Sequence, residues 1–296
     1  MPAVLLALAA ALCYSGSDFA AGLAARAASV IRVSVLAEIT CAVVLLSIVP
    51  LISTREPTAA GLAWGALAGV GGAVGGMALF AGFRSAAFSV ASSVSAVGAA
   101  AFSVFAGLLL GQRPSALTLT GIALALPALV AVSVSLNAPA ANATDDGAIR
   151  PRPSLRGQGN AIAWGLIAGA GFGLFYIALN RAGSSADVWP LAAAELGAIV
   201  TVILFAAISR QLRPPPAGAR WLSVLSGIAM AAGATCYFFA THESLLAVTA
   251  VITALYPAGT ILLARILLGE RLTRVRMFGL CLAATSVVLI AAVGVS

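Results

Sequence analysis

Apolar runs of about 20 residues, separated by short clusters of Arg, Pro and polar residues, fill almost the whole chain. That is the length an α-helix needs to cross a hydrocarbon core about 30 Å thick. The pattern predicts ten membrane-spanning helices, over 3–24, 30–52, 60–83, 86–110, 115–136, 159–180, 188–208, 221–241, 245–268 and 275–295. Five precede and five follow a polar segment, 137–158, which carries Asp145, Asp146, Arg150, Arg152, Arg156 and three prolines and reads as a solvated linker. The expected fold class is therefore all-α and integral to a membrane.

The pattern also repeats. Leu108-Leu109-Leu110-Gly111-Gln112-Arg113 returns 158 residues later as Ile266-Leu267-Leu268-Gly269-Glu270-Arg271. Gly69 answers Gly227, Phe80 answers Phe238, Val90 answers Val248 and Gly121 answers Gly279 at the same offset. Upstream the offset becomes 157, pairing Gly16 with Gly173, Glu38 with Glu195 and Val43 with Val200, so one deletion reconciles the two registers. Residues 3–136 and 159–296 are expected to be two copies of one five-helix unit. Five is odd, so the second copy enters the membrane from the opposite side and the repeats are inverted, an arrangement that places a site between the halves of many secondary transporters. Gly61, Gly65 and Gly69 in the third span, and Gly165, Gly169 and Gly173 in the sixth, recur every fourth residue. Such a face lets helix backbones approach closely, which in lipid does the work that apolar burial does in water.

Composition agrees and adds orientation. A chain 61% hydrophobic and 8% charged, with mean hydropathy +1.09, cannot hide its apolar residues in one soluble core. The net charge of +7 lies between apolar runs, which reads as membrane orientation and not nucleic-acid binding. Loops after spans 1, 3, 5, 7 and 9 hold twelve arginines, and those after spans 2, 4, 6 and 8 hold three. If positive charge marks the cytoplasmic side, both termini face outward. All 16 basic residues are Arg, a bias that resembles a GC-rich bacterium, so the expected location is a bacterial inner, or plasma, membrane. The first 13 residues lack a basic stretch before their apolar run and are expected to be a retained helix, not a leader. Cys13, Cys41, Cys236 and Cys281 are far apart and are expected to be buried thiols; no metal or cofactor is expected.

Leu268-Gly269-Glu270-Arg271, the Gly279 that opens the final span, and Tyr256-Pro257 in the ninth resemble the EamA family of the drug/metabolite transporter superfamily. The first copy, Gly111-Gln112-Arg113, departs from that pattern at Gln112, where Glu is usual. The resemblance implies a ten-helix, two-repeat inner-membrane carrier of a small-molecule substrate, often an exporter. It implies that spans 1–4 and 6–9 surround a central site while spans 5 and 10 pack peripherally. It also implies cytoplasmic termini, against the arginine count.

A carboxylate inside lipid is costly, so each one must pair or titrate. Asp18 in the first span is either a carboxylate that couples solute movement to a proton or cation, or an interfacial Asp satisfied by Ser15, Ser17 or Arg26. Its repeat mate is Phe175, so it breaks the symmetry. Glu38 and Glu195 either line a central pathway or form structural ion pairs with Arg26 or Arg32 and with Arg181. Tyr14 neighbours Asp18 on the first span. Trp164, Phe172, Phe175 and Tyr176 on the sixth span, and Tyr237, Phe238 and Phe239 on the eighth, are candidates to line a cavity for organic solutes. Trp189 and Trp221 read as interfacial anchors. Ser92, Ser93, Ser95, Thr249 and Thr253 could contact solute or bond their own helix carbonyls. His242 is the lone histidine and reads as a boundary residue, and Arg265 as a snorkelling side chain or an anion contact. No G-x-x-x-x-G-K-[ST] loop is present, and no nucleophile and base cluster, so neither an ATPase nor an intramembrane enzyme is expected. A membrane protein that binds partners without transporting stays open as an alternative.

Overall fold

The computed structural model describes residues 2–83, 88–133, 155–183, 187–268 and 273–293. Every regular element among them is a helix: α1 (Pro2–Ala24), α2 (Val30–Ile52), α3 (Ala59–Phe83), α4 (Phe88–Leu109), α5 (Ala116–Ser133), α6 (Leu155–Arg181), α7 (Trp189–Ile208), α8 (Ala217–Glu243), α9 (Leu246–Ala254), α10 (Tyr256–Leu268) and α11 (Arg274–Val293). They make ten spans in two inverted five-helix repeats, α9 and α10 being the halves of one span. The linker residues 134–154 and the second-copy motif Gly269, Glu270 and Arg271 lie outside the described residues.

The ninth span, expected to be continuous, is broken at Leu255. Pro257 has no N–H to give to the ladder, and its ring crowds the carbonyl four residues back, that of Thr253. The chain instead tightens: Leu255 N–H bonds to Ile252 O at 3.2 Å and Ala258 N–H to Leu255 O at 2.9 Å. The Tyr256 carbonyl accepts the Ser15 hydroxyl at 2.7 Å, which ties the start of α10 to α1.

Large apolar side chains point outward, including Val43, Leu51, Phe105, Leu109, Val200, Ile208 and Phe278, while much of the core is Ala. That inside-out distribution suits lipid as solvent, with small residues at the helix contacts. Cys281 corrects the expectation of buried thiols: it is exposed on α11, while Cys41 is buried and Cys13 and Cys236 are half-buried.

The repeats interlace across their interface. α3 packs on α6 and α7 of the other half, and its repeat mate α8 packs on α1 and α2. At the tightest points a Cβ on Gly69 would strike the Ala194 carbonyl, and one on Gly227 would strike the Ala37 carbonyl. Gly69 and Gly227 are repeat mates, as are Ala194 and Ala37, so the same close approach is used twice, once in each orientation. α5 and α11 pack together at the periphery, where Ser286 Oγ donates to Gly121 O at 2.7 Å.

Candidate functional site

Each glycine contact sets down a carboxylate beside it. Ala37 precedes Glu38 on α2 and Ala194 precedes Glu195 on α7, and both acids line a cavity of about 190 Å³ between the repeats. Nine helices line it, from α1 to α4 and from α6 to α10; α5 and α11 contribute nothing. It reaches Ala21, Ser34 and Leu79, within four residues of the linker-side ends of α1, α2 and α3, and Tyr176 and Ala194, five residues from the terminus-side ends of α6 and α7.

Asp18 also lines this cavity. Its side chain is exposed and forms part of the cavity wall. No hydrogen bond or ion pair reaches Asp18 among the described residues. Ser15 bonds Ala11 O and Tyr256 O, Ser17 bonds Ser226, and Arg26 is exposed. The interfacial pairing considered for Asp18 is therefore not formed. The ion pairs considered for Glu38 and Glu195 are not formed either. Arg32 has a buried Nε without a partner, and Arg181 sits 5.8 Å over the Trp64 ring. Glu38 is half-buried and close enough to Glu195 for the two to interact electrostatically. Glu195 is only 7% exposed; the Cys41 thiol lies within hydrogen-bonding reach of its carboxyl, and its Oε2 is buried without a partner. Among the described residues the cavity lining contains these three acids and no Arg or His.

Aromatic rings supply much of the remaining wall. Tyr14 and Tyr256 meet edge to face with centroids 6.4 Å apart, and Phe175 and Tyr176 do so at 5.6 Å. Phe172, Phe175 and Tyr176 line the cavity as expected of the sixth span. Trp164 does not: it is 40% exposed on the outer face, as is Phe239. Tyr237 and Phe238 are also corrected, being buried behind the wall without cavity surface. Tyr237 instead ties α8 to α6 beside the cavity. Its hydroxyl donates to Tyr176 O at 3.1 Å, its ring stacks on Tyr176 at 4.7 Å, and one turn on Asn180 Nδ2 donates to Thr241 O at 2.9 Å. α6 and α8 are thereby held together.

Among other candidates, Thr249 is buried and bonded to Leu245 O, and Thr253 and Ser95 are buried away from the cavity. The side chains of Ser92 and Ser93 lie outside the described residues. His242 Nδ1 is 2.6 Å from Phe238 O, and Arg265 is exposed on α10. Trp189 Nε1 donates to Arg55 O at 3.0 Å, and Trp221 is 63% exposed at the start of α8. Gly111 takes a positive φ of 80° to end α4, and Gln112 Oε1 accepts the Ala247 N–H at 3.5 Å, a long contact that caps α9. Arg113 is exposed beyond that turn. The residues missed by sequence reasoning are Ser17, Met77, Met230 and Tyr256, which line the cavity. Tyr256 alone had a signal, the Tyr-Pro pair inside an apolar run.

A solved crystal structure of a protein 16% identical in sequence superposes with a TM-score of 0.76, over 98% of this chain and 96% of that one, which establishes a shared fold. A search of the curated proteins finds no match. The sequence profile of the EamA-like transporter family matches residues 159–292. The second repeat of this multi-pass membrane protein is thus a domain of the EamA-like transporter family, within the drug/metabolite transporter superfamily.

Proposed function

We propose that the protein is a secondary carrier that moves a small organic solute by alternating access of one repeat against the other, and that residues 3–136 form a first copy of the same family unit. The observation that carries this reading is the cavity at the repeat interface, walled by both halves and by a broken helix at Tyr256. The interlaced packing of α3 on α6 and α7, and of α8 on α1 and α2, supports two arrangements of one interface. The arginine count assigns the linker side to the cytoplasm of a bacterial inner membrane. Asp18 is the proposed proton-coupling group, because it faces the cavity with no pairing charge and has no counterpart in the second repeat.

Purified protein in liposomes tests the reading. Protein-dependent movement of a solute from a panel of amines, amino acids and sugars is expected, without ATP and stimulated by a pH gradient. Liposomes that hold folded protein and move no member of the panel would favour a membrane protein that binds partners without transporting.

A further inference from the structure

The cavity wall has one sign of charge. Three carboxyl groups face it from α1, α2 and α7, no basic side chain among the described residues does, and the rest of the wall is aromatic, Met, Leu, Ala, Gly and Ser. Glu195 Oε2 is buried and unpartnered, and so is the Tyr14 hydroxyl. A buried polar atom left without a hydrogen bond is destabilising, and a ligand that supplies the missing donor or charge is bound the more strongly for it. A ligand that donates a hydrogen bond or carries positive charge answers the Glu195 oxygen, and the Tyr14 hydroxyl can bond to it as well.

Three kinds of ligand could meet that need, and the wall separates them. A metal ion needs several ligands converging on one point, and no group of three or more His, Cys, Asp or Glu side chains among the described residues can hold one. A sugar would need a polar partner for most of its hydroxyls, and the wall offers chiefly Ala, Gly, Met and aromatic rings. An organic cation needs a carboxylate for its charge and an apolar or π surface for its body. Ring faces attract ammonium groups within about 6 Å. A cavity of roughly 150 Å³ holds benzene, so about 190 Å³ accommodates one ring with a small ammonium group.

We infer that the cavity selects a small organic cation, an amine or quaternary ammonium of about one ring in size, with its charge between Glu38 and Glu195 and its body against Tyr14, Phe175 and Tyr256. The inference rests on the transporter reading for its biological meaning but not for its test. The close approaches at Gly69 and Gly227 make the site specific, because they fix both acids on backbones that cannot recede.

Calorimetry on the full chain in detergent tests it with three one-ring probes of different charge: phenyltrimethylammonium, benzyl alcohol and benzoate. The cation is expected to bind at least tenfold more tightly than either of the others. Glu195→Gln and Glu38→Gln should each weaken cation binding at least tenfold and leave weak binding of benzyl alcohol unchanged. Benzoate or benzyl alcohol binding as tightly as the cation would overturn the inference. That charge series uses the unaltered protein, so it decides the matter even if a variant fails to fold. Flux in liposomes separates the two proposals. Transport of an anion or neutral solute in preference to cations would remove the cation class and leave the carrier, whereas tight cation binding with no flux of any solute would remove the carrier and leave the site.

Discussion

The Asp187 carboxylate, just ahead of α7, binds the backbone N–H of Thr54, just beyond α2, and also accepts the Arg55 N–H at 3.2 Å. At the other end of the same two helices the Ser29 hydroxyl donates to Gln211 Oε1. Thr54 and Gln211 are repeat mates at the 157 offset, and Ser29 and Asp187 lie one residue out of that register. The two contacts are near counterparts, and α2 and α7 are pinned to each other at both ends. The terminus-side contact is a charge-assisted hydrogen bond and the linker-side contact a neutral one.

Removing the charge-assisted contact should loosen the terminus side. The Thr54 and Arg55 N–H donors hold the Asp187 carboxyl below the usual carboxylate range. A depressed value means that the contact contributes stability above the ordinary carboxylate pKa and loses it only as pH falls through the lowered one. Hydrogen exchange at the amides of Thr54 and Arg55 should accordingly be slow and insensitive to this group across neutral pH, and should quicken in strong acid. Asp187→Ala should speed exchange at both amides at least tenfold at pH 7. Unchanged exchange in that variant would show that the carboxylate does not hold these amides.

Asp18 carries the second expectation. A carboxyl exposed to a cavity and free of ion pairs can take up a proton on one side and release it on the other as access alternates. Asp18→Asn should reduce transport driven by a pH gradient at least tenfold in liposomes, and should affect solute exchange in the absence of a gradient far less. If Asp18→Asn leaves gradient-driven transport intact, Asp18 is not the proton-coupling group.

Orientation is open to a direct measurement. Twelve arginines on the linker side against three opposite predict that a Ser296→Cys variant is labelled by an impermeant maleimide added outside intact cells, and that Ser154→Cys is not. The reverse pattern would place both termini in the cytoplasm, as the family resemblance implies.

The spans were legible because length and hydropathy alone decide them, and the observed helix ends lie close to the apolar runs. The three acids were legible as exceptional because charge is rare in lipid, although their partners were not. Whether Glu195 meets Arg181 or a cavity depends on which face of α7 turns inward. Membrane helices are apolar all round, so hydrophobicity does not mark that face. The same ambiguity explains the aromatics: on α6, Trp164 faces out and Phe172 faces in, with nothing in their types to tell them apart. Tyr256 entered the wall only because Pro257 breaks the helix there, and a proline inside a span is as compatible with a mild kink as with a break.

Close packing at the repeat interface yields the remaining prediction. Gly69 and Gly227 face backbone atoms of the opposite repeat, which cannot move aside as a flexible side chain would. Adding one methyl group must shift a whole helix, and overpacking of this kind costs about 1–3 kcal/mol. Gly69→Ala and Gly227→Ala should each lower the melting temperature in detergent by several degrees. They should also push Ala194 or Ala37 away and so weaken cation binding at the adjoining glutamate. Gly22→Ala is the matched control, since a Cβ there meets nothing within 4 Å and alanine favours the helix. A melting temperature unchanged in the Gly69 and Gly227 variants would mean that the helices can separate at no cost, and that these contacts do not set the positions of Glu38 and Glu195.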